Sequence, residues 1–287
     1  IVTLLGSVMG RQADLIRVES AERERQQAQW LLLGAMDWAR LILREDARNG
    51  TADHLSEPWA VPLQDSRLSS FLATQHVPEG ALPAPEQEVL LSGGIQDAQG
   101  RFNLSNLVQG QQIDGVAKAQ LMRLFGVLGV PQGRVEDLAD KMVRSRQPNG
   151  AWLPPQSLDD LVAWGWDRAQ IERLRPHVVV LPERTRINVN TASPEVLSAT
   201  VEGLSLAAAE RLVQSRARSP WVQSSQAQAA FGGKFDTHRH DIGSRFFLLH
   251  GRLRMGPTEV TQTGLVKRDG QAVVYLWVTP FPAVPRP

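Results

Sequence analysis

Cysteine is absent from all 287 residues, which excludes disulfides, cysteine zinc sites and thiol nucleophiles outright. That absence suits an oxidising compartment, although cytosolic proteins share it. Lysine is scarce. Lys118, Lys141, Lys234 and Lys267 are four of the 31 basic residues, so the other 27 are arginine. Charge of one sign is missing too, with 31 basic against 30 acidic residues and a formal net charge of +1. A dedicated nucleic-acid binder normally carries a clear basic excess. Residues 1–9 (IVTLLGSVM) are largely apolar, but nine residues cannot cross a bilayer, which takes ~20 in a helix. They read either as the tail of a longer apolar helix or as a helix start packed on the protein's own core. Enzyme signatures are absent as well: there is no GxSxG, GxGxxG or HExxH, and Gly233-Lys234 lacks the rest of a phosphate loop.

What is present is ordinary globular composition, 42% apolar and 21% charged, in a length that suits two domains of ~100–200 residues. From Arg11 to Asn49 there is no proline and only Gly34. Ala28, Leu31, Ala35, Trp38 and Ile42 fall at helical spacing, and Asn49-Gly50 supplies a stop. One helix over 1–49 would be roughly 70 Å long. Prolines 58, 62, 78, 83 and 85 make 50–88 irregular. Residues 89–108 read as strand, a break at Gly93-Gly94, and strand. Short helices follow over Ala117–Leu128, Val135–Val143, Leu158–Ala163 and Ala169–Leu174, then an extended connector, HVVVLP, at 177–182.

The most legible stretch is 186–221. Thr191 or Ser193 caps a helix with Pro194 in its first turn, Glu202–Ser205 turns, and a second helix runs Leu206–Arg218 to Pro220. This is a helix-hairpin-helix pattern, echoed weakly by 129–146. The last third changes character, with strands at 246–256, 258–268 and 272–278 and an Asp269-Gly270 hairpin signal. Strands flanking a helical block predict an α+β domain interrupted by an inserted α-domain.

Two clusters invite chemistry. His238, His240 and Asp241 have the donor types of a zinc site. The other histidines show no ligand-like spacing, so a polar linker is the stronger reading. Helix-hairpin-helix units bind DNA when glycines in the turn let backbone amides reach phosphate. Here the second such position is Ser205, and Glu202 and Glu210 flank the turn. A small protein-binding module is favoured; a DNA-binding protein of a competence-type uptake apparatus is the alternative.

The combination of Gln29-Trp30, Gly34-Ala35, Glu57-Pro58-Trp59-Ala60, Asp97, Gly100-Arg101-Phe102-Asn103-Leu104 and Asn188-Val189-Asn190-Thr191-Ala192 resembles the general secretion pathway protein K family. These are minor pseudopilins of bacterial type II secretion. GRFNL followed about 80 residues later by INVNTA is the specific part, and the likeness covers nearly the whole chain. It implies a pilin-like domain, a long helix with an antiparallel sheet, interrupted by two SAM-like helical units. The boundaries expected are 1–108 and 241–287 for the pilin-like domain, with 109–185 and 186–240 for the units.

The resemblance further implies a non-enzymatic place at the pseudopilus tip, where the protein nucleates and caps the filament. Its partners would be minor pseudopilins I and J, then H, the major subunit, and secreted substrates or the outer-membrane secretin; nucleic acid would not be one. The body would be periplasmic, held to the inner membrane by an N-terminal helix whose end is residues 1–9. Leu4, Val8, Leu15, Val18 and Ala28 would face neighbouring pseudopilin helices. Family members often carry a calcium-associated acidic cluster. The matching stretch here is Asp140-Lys141-Met142-Val143-Arg144-Ser145, which keeps one aspartate, so no cofactor and no bound calcium are expected.

Overall fold

The computed structural model describes the chain except residues 1, 51, 71–87, 148–151 and 281–287; side chains of 2–16 and of 49 also lie outside the description. The chain divides into two compact units. The first comprises 1–46, 58–96 and 248–287, and the second 47–57 and 97–247.

The first unit is built on α1 (Val2–Asn49) and a five-stranded sheet. Its strands are β1 (Leu63–Arg67), β2 (Val89–Asp97), β9 (Phe246–Met255), β10 (Thr258–Asp269) and β11 (Ala272–Val278), in the order β1-β2-β9-β10-β11. Both β1–β2 and β10–β11 pair antiparallel. Among the described side chains of α1, Ala28, Leu32, Met36 and Leu43 are the buried ones, one stripe at helical spacing. Ala28 and Leu32 share a core with Val89, Leu91, Leu253 and Val260 of the sheet. The face expected from sequence is therefore rotated by about one residue. Leu31, Ala35, Trp38 and Ile42 are its half-buried flank.

Two expectations fail here for identifiable reasons. Gly93-Gly94 does not break the strand; β2 runs straight through it. A Cβ on Gly93 would lie 2.4 Å from the carbonyl oxygen of His250 on the neighbouring strand, so glycine marks close backbone approach, not a turn. Residues 50–88 are not wholly irregular either, because Leu63–Arg67 forms β1 at the sheet edge. Its sequence, LQDSR, has no apolar alternation to betray it, and an edge strand needs little. The C-terminal hairpin lies where the sequence places it, although Asp269 itself pairs with Ala272 and the loop is Gly270-Gln271.

The second unit is mainly helical, with a core of its own. Its elements are α2 (Gly115–Leu128), α3 (Arg134–Arg144), a 3-10 segment (Leu158–Trp164), α4 (Arg168–Leu174), α5 (Pro194–Thr200), α6 (Leu206–Arg218) and α7 (Ser224–Ala230). Ser193, not Thr191, caps α5, its hydroxyl accepting from the Val196 amide. Ser205 caps α6 by accepting from Ala208. Residues 97–108 belong here as well, against the expectation that they are first strands of the outer domain. Phe102, Leu104, Leu107 and Val108 are buried in the helical core. Two-residue strands staple the unit. β3 (Phe102–Asn103) lies parallel to β6 (Val178–Val179), β7 (Ile187–Asn188) parallel to β8 (His240–Asp241), and β4 (Val108–Gln109) pairs with β5 (Gln112–Ile113).

Candidate functional site

The residues that stand out in the sequence assemble a buried polar joint inside the second unit. Asp97 ends β2, and its carboxylate takes four donors. Oδ2 accepts from Asn188 Nδ2 (2.8 Å), Thr191 Oγ1 (2.5 Å) and Ser244 Oγ (2.7 Å), and Oδ1 accepts from the Gln99 amide (2.7 Å). Burial pushes this carboxyl up, and the hydrogen bonds from Thr191, Ser244, Gln99 and Asn188 oppose it. Asn188 divides its two amide hydrogens among Asp97, the Asp53 carbonyl (3.0 Å) and Ser244 Oγ (3.0 Å). Its carbonyl oxygen accepts from the Asn190 amide at 2.9 Å.

Neighbouring motif residues do similar work on the backbone. Asn190 donates to the Trp221 and Ile242 carbonyls and accepts from the Trp221 amide. Asn103 donates to the Glu183 carbonyl and accepts from the Ser105 and Leu181 amides. A Cβ on Gly100 would fall 2.7 Å from Thr191 Oγ1 and 3.1 Å from the Thr191 carbonyl carbon, so only glycine fits where these segments cross. Phe102 and Leu104 are core. Arg101 sits near Asp97; burial lowers its pKa, partly offset by that carboxylate. Gly100, Arg101, Phe102, Asn103, Leu104, Asn188, Asn190 and Thr191 are thus brought together, and their chemistry holds a fold.

Three contributors escape a sequence reading. Asp53 accepts from the Ser244 amide at 2.6 Å. Arg216, near the end of α6, is buried and donates to the Val189 and Ala192 carbonyls. Burial pulls its pKa down to about 10. An arginine among QSRAR gives no sign of facing inward. Asp114 caps α2 by accepting from the Val116 and Ala117 amides, both at 3.0 Å, and pairs with Arg184 (2.6 Å) and Arg239 (3.2 Å).

Burial works to raise the Asp114 pKa; the Ala117 amide and the two guanidinium groups overcome it and hold the group at about 2. Its folded pKa is therefore depressed, so its contribution is complete above ~4 and lost as pH falls from ~4 to ~2. Asp114→Asn keeps a capping oxygen and is expected to remove about 2 kcal/mol of acid sensitivity across that window. Urea unfolding of both proteins at pH 5, 3.5 and 2.5 measures it; parallel profiles would contradict the assignment.

The residues expected to face partner helices fare differently. Leu4, Val8 and Leu15 lie outside the described side chains. Val18 is 56% exposed, whereas Ala28 is fully buried on the unit's own sheet, so Ala28 is no partner contact. Exposed residues of α1 instead include Trp30, at 74%. His238, His240 and Asp241 do not converge on a common point. His238 is exposed, His240 is buried with Nδ1 accepting from the Asp236 amide, and Asp241 is held by Arg186.

Two family models match the second unit, both described as type II secretion system protein K. One covers residues 187–241 and the other 100–183. A type II secretion system protein K from Pseudomonas aeruginosa strain PAO1 is 27% identical over 294 residues, covering 91% of this chain and 83% of that protein. Another, from Klebsiella pneumoniae, is 28% identical over 308 residues, covering 94% and 89%. The chain is thus similar to type II secretion system protein K, by family models over 100–183 and 187–241 and by relatives along most of its length.

A crystal structure of the GspK-GspI-GspJ complex from enterotoxigenic Escherichia coli contains a chain with the same fold. The TM-score is 0.62 at 22% identity, over 91% of this chain and 98% of that one. The family models span the residues of the Asp97–Asn188 joint except Asp53, Asp97, Gln99 and Ser244.

Proposed function

We propose that this protein is a minor pseudopilin at the tip of the type II secretion pseudopilus, where it nucleates and caps the filament with minor pseudopilins I and J. The observation that carries this reading is the match to two protein K family models over 100–183 and 187–241. The fold supports it, because the Escherichia coli chain of the same fold was crystallised in complex with GspI and GspJ. The first unit would be the pilin-like body and the second an insert of two SAM-like units, bulky enough to prevent further subunits from stacking above. Templating of this kind needs binding energy and no bond chemistry, so the role is non-enzymatic. H, the major subunit, secreted substrates and the secretin are further partners.

Exposed positions on α1, Val18 and Trp30 among them, provide the surface for neighbouring helices. Inner-membrane anchoring would be through the N-terminal helix, with the body in the periplasm. Among the described residues no helix is long and apolar enough to cross a membrane. Purified I and J partners are expected to co-elute with this chain as a ternary complex at about micromolar concentration. Separate elution of all three would sink the reading.

Calcium is not part of this proposal. Asp140 is exposed on α3, and beside it the Lys141 ammonium donates to Asp137 (2.9 Å) and to the Trp164 carbonyl (2.9 Å). A cation supplied by the protein thus sits among these oxygens, and a second would be repelled. Calorimetric titration is expected to give no heat of tight calcium binding; tight binding lost in Asp140→Ala would overturn this. The helix-hairpin-helix turn is also poorly arranged for DNA. The Ala208 amide is taken by Ser205, and Lys234 Nζ donates to the Gly203 carbonyl at 2.8 Å. A salt-dependent gel shift would be needed to revive that alternative.

A further inference from the structure

The second unit contains an open cleft of about 470 Å³, within the usual range of sites that enclose a small ligand or a few residues of peptide. Its walls come from 184–187 and 238–245, with single residues from α2 and α7. Their charge is one-sided. Arg184, Arg186, Arg239, Arg245 and His238 line the cleft, and the one lining carboxylate is Asp241.

Other carboxylates that hold these arginines do not line it. Asp114 binds Arg184 and Arg239, and Glu183 binds Arg245 at 2.5 Å. Those pairs fix the guanidinium groups in place without filling the cleft. Arg245 uses one donor nitrogen on Glu183, and Arg186 uses two, on Asp241 and the Thr237 carbonyl. A guanidinium carries five N–H groups, so several remain to be offered. In a chain of net charge +1, this concentration of arginine is local.

The arrangement also says what kind of anion fits. Phosphate sites are typically cradled by backbone amides. Here the amides of Thr185, Ile187, Ser244 and Arg245 already donate within the protein. What remains is a set of guanidinium forks tethered at four separate carboxylates, Asp114, Asp236, Asp241 and Glu183. Each fork suits one carboxylate in bidentate fashion. Separate forks suit carboxylates repeated along a chain better than one compact anion.

We propose that this cleft binds an acidic segment of another polypeptide, its Asp or Glu carboxylates seated on Arg186, Arg245 and the Arg184–Arg239 pair. The site does not depend on the tip role above, and its test is separate from I and J assembly. Fluorescence polarisation of labelled hexaglutamate with the full chain is expected to show saturable binding that weakens with salt, with hexalysine not binding.

Arg186→Gln and Arg245→Glu change exposed side chains and should each lower affinity by about tenfold or more, while Arg245→Lys, which keeps the charge and loses the fork, should fall between Arg245→Glu and the unchanged protein. Thermal melts of each variant separate lost binding from lost folding. If one variant unfolds, the other decides. Absence of hexaglutamate binding at about 1 mM peptide in low salt overturns the proposal. So does unchanged binding by both folded variants. Displacement of hexaglutamate by pyrophosphate at equal concentration would assign the cleft to phosphates and overturn it too.

Discussion

Replacing Asn188 with alanine is expected to destabilise the protein by about 3–5 kcal/mol, the range for breaking a buried, hydrogen-bonded ionic group. The side chain serves the Asp97 carboxylate, the Asp53 carbonyl, the Ser244 hydroxyl and the Asn190 amide together. Alanine leaves those groups buried without this partner. Burial already pushes the Asp97 carboxyl up, and removing a donor to the charged form pushes it further. A group whose folded pKa is raised loses stability as pH rises through that pKa. The deficit of Asn188→Ala should therefore be largest at neutral pH and shrink towards acid. Urea unfolding at pH 7.5 and pH 4.5 tests both parts; a loss below about 1 kcal/mol would show the joint to be dispensable. Thr191→Val, which removes one donor, serves as the milder comparison.

Arg216→Ala is expected to cost about 3 kcal/mol, although arginine substitutions usually pass unnoticed at surfaces. Its guanidinium is buried on the carbonyls of Val189 and Ala192, just before α5. Two buried acceptors would lose their donor, and the aliphatic stem would leave a gap between α6 and the INVNTA segment. Arg218, two residues on and exposed, is the control and should change stability by no more than about 0.5 kcal/mol. Equal effects from both substitutions, read from denaturant midpoints, would refute the inward role of Arg216.

Much of the fold was legible because local signals agreed with tertiary need. Ser193-Pro194 and Ser205 announce α5 and α6 by capping chemistry, and the alternating runs after 246 announce the hairpins. Features that depend on a distant partner were not legible. Gly93 looks like a breaker until His250 lies against it. Ala28 looks like one contact among several on an amphipathic helix until the sheet covers it. The strand β1 has no pattern to read. For the candidate sites the division is sharper. The motif residues were identifiable, yet their task is holding segments distant in sequence together, which only the hydrogen bonds reveal. Arg184, Arg186, Arg239 and Arg245 are scattered over some 60 positions among 27 arginines, and no spacing rule gathers them.

The division of the first unit among separated stretches has a consequence for how the chain acquires its structure. Strands β2 and β9 are sheet neighbours, yet about 150 residues run between them. Pairing them directly from an unfolded chain means closing a very large loop, an entropic barrier that slows non-local pairing. The second unit removes most of that barrier. Once it has formed, the Ala98 amide donates to the Phe246 carbonyl at 3.0 Å, and the chain re-emerges beside the point where it entered. The helical unit then acts as a clasp that shortens the loop before the sheet zips. Assembly of the sheet should wait on it, and damage at Asn188 should delay the sheet as well.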